Sequence, residues 1–170
     1  MFAWQFCQAL HLADRHGWTR FVSMQDHYNL LYREEEREML GLCRDQGIGV
    51  IPWSPMARGR LTRPWQESEE ASTKRAETDE FGQSLYQHTK EADRRVVEAV
   101  HRLAEARGLP MAQVALAWLL HKPGVSSPII GATKPHHLED AVAALNVKLS
   151  AQEIAELEKP YVPHPTLGFS

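Results

Sequence analysis

The run Ile48-Gly49-Val50-Ile51-Pro52 has no polar side chain, and it stops abruptly at Trp53-Ser54-Pro55-Met56-Ala57-Arg58-Gly59. A strand without polar alternation is covered on both faces, which is the habit of parallel sheets flanked by helices. Parallel neighbours cannot be joined by a tight turn, so each connection needs a crossover, usually a helix. A chain built around this run should alternate strands with helices.

The rest of the sequence has that alternation. Residues 2–16 are helix-periodic, with Phe2, Phe6, Leu10 and Ala13 near one face and Gly17 as the stop. Residues 20–25 alternate and read as a short strand, and 28–33 as a loop. Residues 34–46 read as a second helix whose first turn is acidic, which suits the helix dipole. Residues 59–89 have no clean period and hold Pro64, Gly82 and many charges, so they read as a long loop or lid. Residues 92–107 and 111–120 read as two more helices, the first with Val96, Val97, Val100 and Leu103 as its stripe and the second opened by Pro110. A third strand is expected at 127–130 and a helix at 136–145. Ser150-Ala151-Gln152-Glu153 is a capping box for a last helix reaching about Lys159, and Pro160, Pro163 and Pro165 make the tail irregular. No repeat or linker divides the chain, so 1–170 reads as one domain.

Composition narrows the function classes. Hydrophobic residues make up 43% of the 170, enough for a core, and the net charge is −3 with signs mixed. That excludes a basic footprint for nucleic acid and a polybasic membrane patch. No apolar run approaches the ~20 residues of a membrane span, and no basic n-region follows Met1, so a cytoplasmic protein is expected. Cys7 and Cys43 fall in helical patterns and read as reduced, buried thiols. No Cys/His cluster has metal spacing. The charge run Glu34-Glu35-Glu36-Arg37-Glu38 reads as a solvated helix face.

Gln25 closes the first expected strand, Trp53 the second, and Gly131 follows the third. Alternation alone puts them on one rim. Three segments share this rim: Gln25-Asp26-His27-Tyr28-Asn29, the run through Gly59, and Ile129-Ile130-Gly131-Ala132-Thr133-Lys134-Pro135. Together they resemble the C-terminal half of the aldo/keto reductases, NADP(H)-dependent (β/α)8-barrel oxidoreductases that reduce aldehydes and ketones. The resemblance runs over essentially the whole chain. It implies an α/β fold, a partial (β/α)8 TIM barrel of parallel strands and surrounding helices. A closed barrel of this kind usually takes ~250 residues.

The resemblance also implies roles. Gln25, in the family's Q-x-x-Y-N pattern, would pair with the nicotinamide carboxamide; otherwise it satisfies strand-end backbone groups. Trp53 would stack on the nicotinamide ring; the rival is a core-filling indole. Ser54, Met56, Ala57 and Gly59 would wrap the pyrophosphate with backbone N–H groups and a hydroxyl. Gly131 and Thr133 match the phosphate loop after the eighth strand, with Lys134 and His137 near an adenosine 2′-phosphate. Many relatives carry Lys and Arg where this chain has Gly131 and His137, so NADP is implied with NAD open. Asp26 stands where relatives often have Asn, close to the nicotinamide. His27 could line the rim; His11, His16 and the remaining histidines carry no assigned role.

The family's Asp-Tyr-Lys-His catalytic set has no match. Tyr28, Tyr32, Tyr86 and Tyr161 stand outside any matching context, and no catalytic residue is assigned. Met1-Phe2-Ala3-Trp4 resembles an internal family segment, so a truncated, split or miscalled frame is expected. The chain then reads as a fragment carrying the cofactor-binding half and inactive alone. The alternatives are a non-catalytic nucleotide-binding or barrel-completing module, paired with itself or a complementary half-barrel, and an inert gene remnant.

Overall fold

The computed structural model describes residues 1–65, 85–86 and 89–165 of the chain. Helix α1 (Ala3–His16) leads into strand β1 (Ser23–Met24), helix α2 (Met39–Asp45) and strand β2 (Gly49–Val50). Among the described residues there follow helices α3 (Lys90–Arg107), α4 (Met111–Leu120), α5 (Pro135–Ala143) and α6 (Ala151–Glu158). β1 and β2 pair in parallel, Ser23 opposite Gly49 and Met24 opposite Val50, with α2 as their crossover. The fold is α/β, as the apolar run at Ile48 requires.

The strands are shorter than expected by formal pairing, but the ladder continues past them. The N–H groups of Gly49, Ile51 and Trp53 donate to the carbonyls of Val22, Met24 and Asp26, at 3.1, 2.8 and 2.8 Å. This i, i+2 rhythm carries the parallel register up to the rim. The expected third strand at 127–130 is corrected to a single parallel bridge, Val125 to Val50. Its cause is Pro128. Ser126 N–H reaches Val50 O at 2.8 Å, but two residues on there is no N–H to give, and Ile129 instead donates to Pro52 O at 2.8 Å. Three residues thus oppose two, a bulge that ends regular pairing.

The helices follow from their patterns. α1 buries Phe6, Leu10 and Ala13, with Gly17 at φ 65° closing it, while Phe2 is exposed as the N-cap and leaves the expected stripe. α4 is buried almost throughout, with Trp118 and Leu119 fully covered. α3 packs Val96, Val97, Val100 and Ala104 into the same core. α6 is opened by the expected capping box: Ser150 Oγ accepts from Glu153 N–H at 3.2 Å, and Ser150 N–H donates to Glu153 Oε2 at 2.7 Å. No helix among the described residues is long and apolar enough to cross a membrane.

The expected helix over 34–46 is two pieces, a 3-10 turn at Glu34–Glu36 and then α2. Of the charge run there, Glu36, Arg37 and Glu38 are exposed as expected, and the reading is corrected at Glu34. Glu34 is buried and holds the tail: Tyr161 O–H and His164 N–H donate to its Oε1 at 2.6 and 2.7 Å, and Arg37 pairs with its other oxygen. Glu36 accepts from Tyr28 O–H at 2.6 Å and from Arg33 at 2.7–3.0 Å. Lys122 reaches both Glu36, at 3.3 Å, and Glu158. These carboxylates are partners in a packed network, which holds Glu34 and Glu36 below the usual range even though burial pushes the other way. Cys43 is buried as expected; Cys7 is exposed on α1. Most of the expected lid at 59–89 lies outside the described residues. Its start, Ala57–Thr62, is a 3-10 segment interrupted at Arg58 and Gly59.

Candidate functional site

The parallel bridge between His27 and Trp53 organises the rim. Side chains alternate along a strand, so Gln25 and His27 share one face and Asp26 takes the other. Bridged residues of parallel strands point the same way, which brings Trp53 to the Gln25–His27 face. Gln25 is exposed there. Asp26 is only 5% exposed, and its charge acts on Glu35 and Cys43 on the helix side. The expectation that Asp26 sits near the ring-binding face is therefore corrected. Burial raises its carboxyl to about 6, and its Oδ2 has no hydrogen-bond partner.

An open cleft of about 290 Å³ lies beside Trp53. It is lined by Trp53, Ser54, Pro55, Met56, Arg58 and Gly59 from the turn after β2, and by Ile129, Ile130 and Gly131 from the third segment. Five of the ten expected site residues meet there: Trp53, Ser54, Met56, Gly59 and Gly131. Ala57 is fully buried behind the turn. Thr133, Lys134 and His137 lie beyond the cleft at the start of α5, with Thr133 Oγ1 3.5 Å from His137 Nδ1. Arg58 was given no role by its sequence context, yet it places a cation on the cleft wall.

The turn is strained. Ser54, Ala57 and Arg58 all hold positive φ, 51°, 48° and 56°. Such conformations cost of order 1–3 kcal/mol each and persist where the surroundings enforce them. Here Asn29 does so: its Nδ2 donates to Ser54 O at 3.0 Å. The Ala57 and Gly59 N–H groups are committed inside the turn, to Ser54 O at 2.9 Å and Met56 O at 3.0 Å. Beside these amides the cleft wall carries the Ser54 hydroxyl and the Arg58 guanidinium, groups of the kind that suit an anion.

Below the turn lies a polar and aromatic cluster that sequence reasoning passed over. His27 stacks on Trp53 at 4.2 Å and 16° and, on its other side, on Tyr32 at 4.6 Å and 14°. His27 Nε2 lies 2.9 Å from Tyr86 Oη, and Asn29 Nδ2 lies 3.1 Å from the same oxygen. Trp53 is half-buried and packs against the core, so the rival reading of a core-filling indole is met in part; the same ring also lines the cleft. Among the described residues no group of three His, Cys, Asp or Glu side chains is placed to hold a metal ion.

The strand ends of the α/β sheet thus bring an aromatic, a strained turn with a cation and a third loop into one cleft. The sequence profile of the Aldo/keto reductase family matches residues 2–161, and the chain belongs to that family. It is 45% identical over 170 residues to the versiconal hemiacetal acetate reductase of Aspergillus parasiticus, covering 97% of this chain and 48% of that protein. It is 44% identical to an aldo-keto reductase of Fusarium vanettenii and 43% identical to one of Alternaria alternata, each over all of this chain and 45% and 44% of the relative. The chain spans about half the length of the curated relatives it matches.

Proposed function

We propose that this chain is the C-terminal half of an aldo/keto reductase barrel and carries the side of the site that binds NADP(H). The supporting observation is the cleft that gathers Trp53, Ser54, Met56, Arg58, Gly59 and Gly131. The cofactor, when bound, supplies the hydride for reduction of an aldehyde or ketone. Trp53 offers a flat apolar face to orient the nicotinamide, and Gln25, just past β1 on the same face, donates and accepts as a carboxamide requires. Ser54 and Arg58 face the pyrophosphate. Thr133, Lys134 and His137 stand at the N-terminus of α5, where a 2′-phosphate would be favoured. NADP(H) is the family's general cofactor; the single Lys134 leaves NAD as a competitor.

The residues fit half of the reaction. Reduction of a carbonyl needs a proton donor near the incoming oxygen. Tyr86 O–H is spent on His27 and Tyr161 O–H on Glu34, and Tyr28 O–H on Glu36. On this reading the chain by itself binds cofactor without turning over carbonyl substrates. A complementary half-barrel, or a second copy, is the partner that would cover its open face.

Titration of the chain with NADPH and NADH tests the reading, with Trp53→Ala and Gln25→Ala alongside. Loss of a stacked aromatic is worth about 0.5–1.5 kcal/mol beyond buried area, so Trp53→Ala should weaken binding several-fold. Absence of dinucleotide binding, or binding indifferent to Trp53, rejects it. Steady NADPH consumption with aldehydes by the chain alone rejects the half-site part.

A further inference from the structure

The stack beneath the cleft has a property the cofactor reading does not use. Asn29 is fully buried, and its Oδ1 accepts two backbone N–H groups, from Leu31 at 2.8 Å and Tyr32 at 3.0 Å. That fixes the orientation of the amide. Its Nδ2 must then face Ser54 O, Tyr86 Oη and His27 Nε2, the last at 3.3 Å. With the proton on Nδ1, His27 Nε2 accepts from the Tyr86 O–H and shares an Asn29 N–H. Only a neutral imidazole with its proton on Nδ1 can do so. A protonated ring would set an N–H against the donors of Asn29. Burial and the nearby Arg58 charge act in the same direction, lowering His27 to about 4.

The neutral ring is held on every side. Tyr32 covers one face and Trp53 the other, while Tyr86 and Asn29 hold Nε2. With one face on His27, the indole meets the cleft with its remaining surface. We propose that His27 is the positioning residue for Trp53: it sets the plane in which the indole is presented to the cleft, and through Tyr86 it ties that plane to a residue 59 positions further along the chain. The purpose of the clamp rests on the cofactor reading of Trp53. Its existence does not. Because Asn29 bonds both this cluster and the Ser54 carbonyl, the same network holds the indole and the strained turn beside it.

Fluorine NMR of the whole chain labelled with 5-fluorotryptophan reads the clamp directly. The chain has five tryptophans, and Trp53→Phe identifies the Trp53 line. His27→Ala should shift or broaden that line and leave the other four in place. His27→Phe keeps a stackable ring and drops the polar link, and should restore a single sharp line. NADPH should then bind roughly 2- to 10-fold more weakly to His27→Ala than to the natural chain or to His27→Phe, the size of a weakened aromatic stack. A Trp53 line unmoved in His27→Ala overturns the clamp. If His27→Ala disperses all five lines by unfolding, His27→Phe decides: a displaced Trp53 line with the other four unchanged overturns the stacking role, and a sharp unshifted one supports it. A Trp53 line displaced by His27→Ala but indifferent to NADPH supports the clamp and rejects the cofactor reading.

Discussion

His164 Nε2 lies 3.3 Å from Asp93 Oδ1, and both side chains are almost completely buried. The pair joins the irregular tail to α3, and its neighbours are equally committed: Thr89 Oγ1 donates to the other Asp93 oxygen at 2.8 Å, and His164 N–H donates to Glu34. Burial opposes the imidazolium, but the Asp93 bond and charge outweigh it and raise His164 above its ordinary value.

A raised histidine stabilises the fold most below its unfolded value of about 6.5, and the contribution is lost as pH climbs through the folded value. The advantage of the natural chain over His164→Ala should therefore be larger at pH 6 than at pH 9. A difference of about 1–3 kcal/mol at the lower pH is expected for a charged hydrogen bond. Asp93→Asn should flatten the dependence. Denaturant midpoints at the two pH values check it, and an equal loss at both rejects the ion pair.

Asp26 behaves in the opposite sense to the network acids. Its carboxyl is raised to about 6 by burial, and Glu35 is raised to about 7 by burial and by the Asp26 charge. A carboxyl raised on folding contributes fully below its unfolded value of about 4 and loses that contribution as pH rises through 6. With an unpartnered oxygen to desolvate, the natural chain should be weaker than Asp26→Asn above pH 7, by on the order of 1–3 kcal/mol. The gap should close towards pH 4. Urea unfolding across that range measures it, and a variant that is less stable at pH 8 contradicts the assignment.

What could be read from the sequence was what repeats locally. The apolar run at Ile48, the stripe Val96-Val97-Val100 and the box at Ser150 each carry their structural reason within a few residues. Partners far apart in sequence left no local trace. Glu34 looks like part of a solvated run because Tyr161 and His164, which bury it, come 127 and 130 residues later. His27 could be placed on the rim but not in its cluster for the same reason, since Tyr86 is 59 residues away. The bulge opposite Pro52 was legible in Pro128, which was read as strand. Trp53 and Gly131 could be placed on one cleft because motif and rim coincide; Arg58 had only its place in the turn to point to it.

The close approach at Gly49 offers a compensating pair. A Cβ there would lie 2.6 Å from Ser126 Oγ and 3.4 Å from Ser126 Cβ. Gly49→Ala should cost about 1–3 kcal/mol, as overpacking does. Adding Ser126→Ala removes the nearest atom and should return much of the loss. Midpoints of the two single variants and the double give the coupling. Strict additivity would place the cost of Gly49→Ala elsewhere.

The last expectation concerns association. Among the described residues β1 is paired only through β2, and the sheet ends on its other side at Val125. Beside that edge Val22 is 79% and Phe21 54% exposed, with Trp18 at 63% and, across the sheet, Ile129 at 42%. Unpaired backbone next to apolar side chains is a template for another strand, and clustered apolar exposure drives association. The purified chain should therefore sediment as a dimer or larger, or bind a complementary half-barrel chain such as the N-terminal half of a relative. Val22→Lys places a charge on the edge without entering the core, and should shift the population toward monomer while helicity by circular dichroism stays unchanged. A natural chain that sediments as a monomer and unfolds reversibly in one step would overturn both the docking face and the half-barrel reading that supplies its occupant.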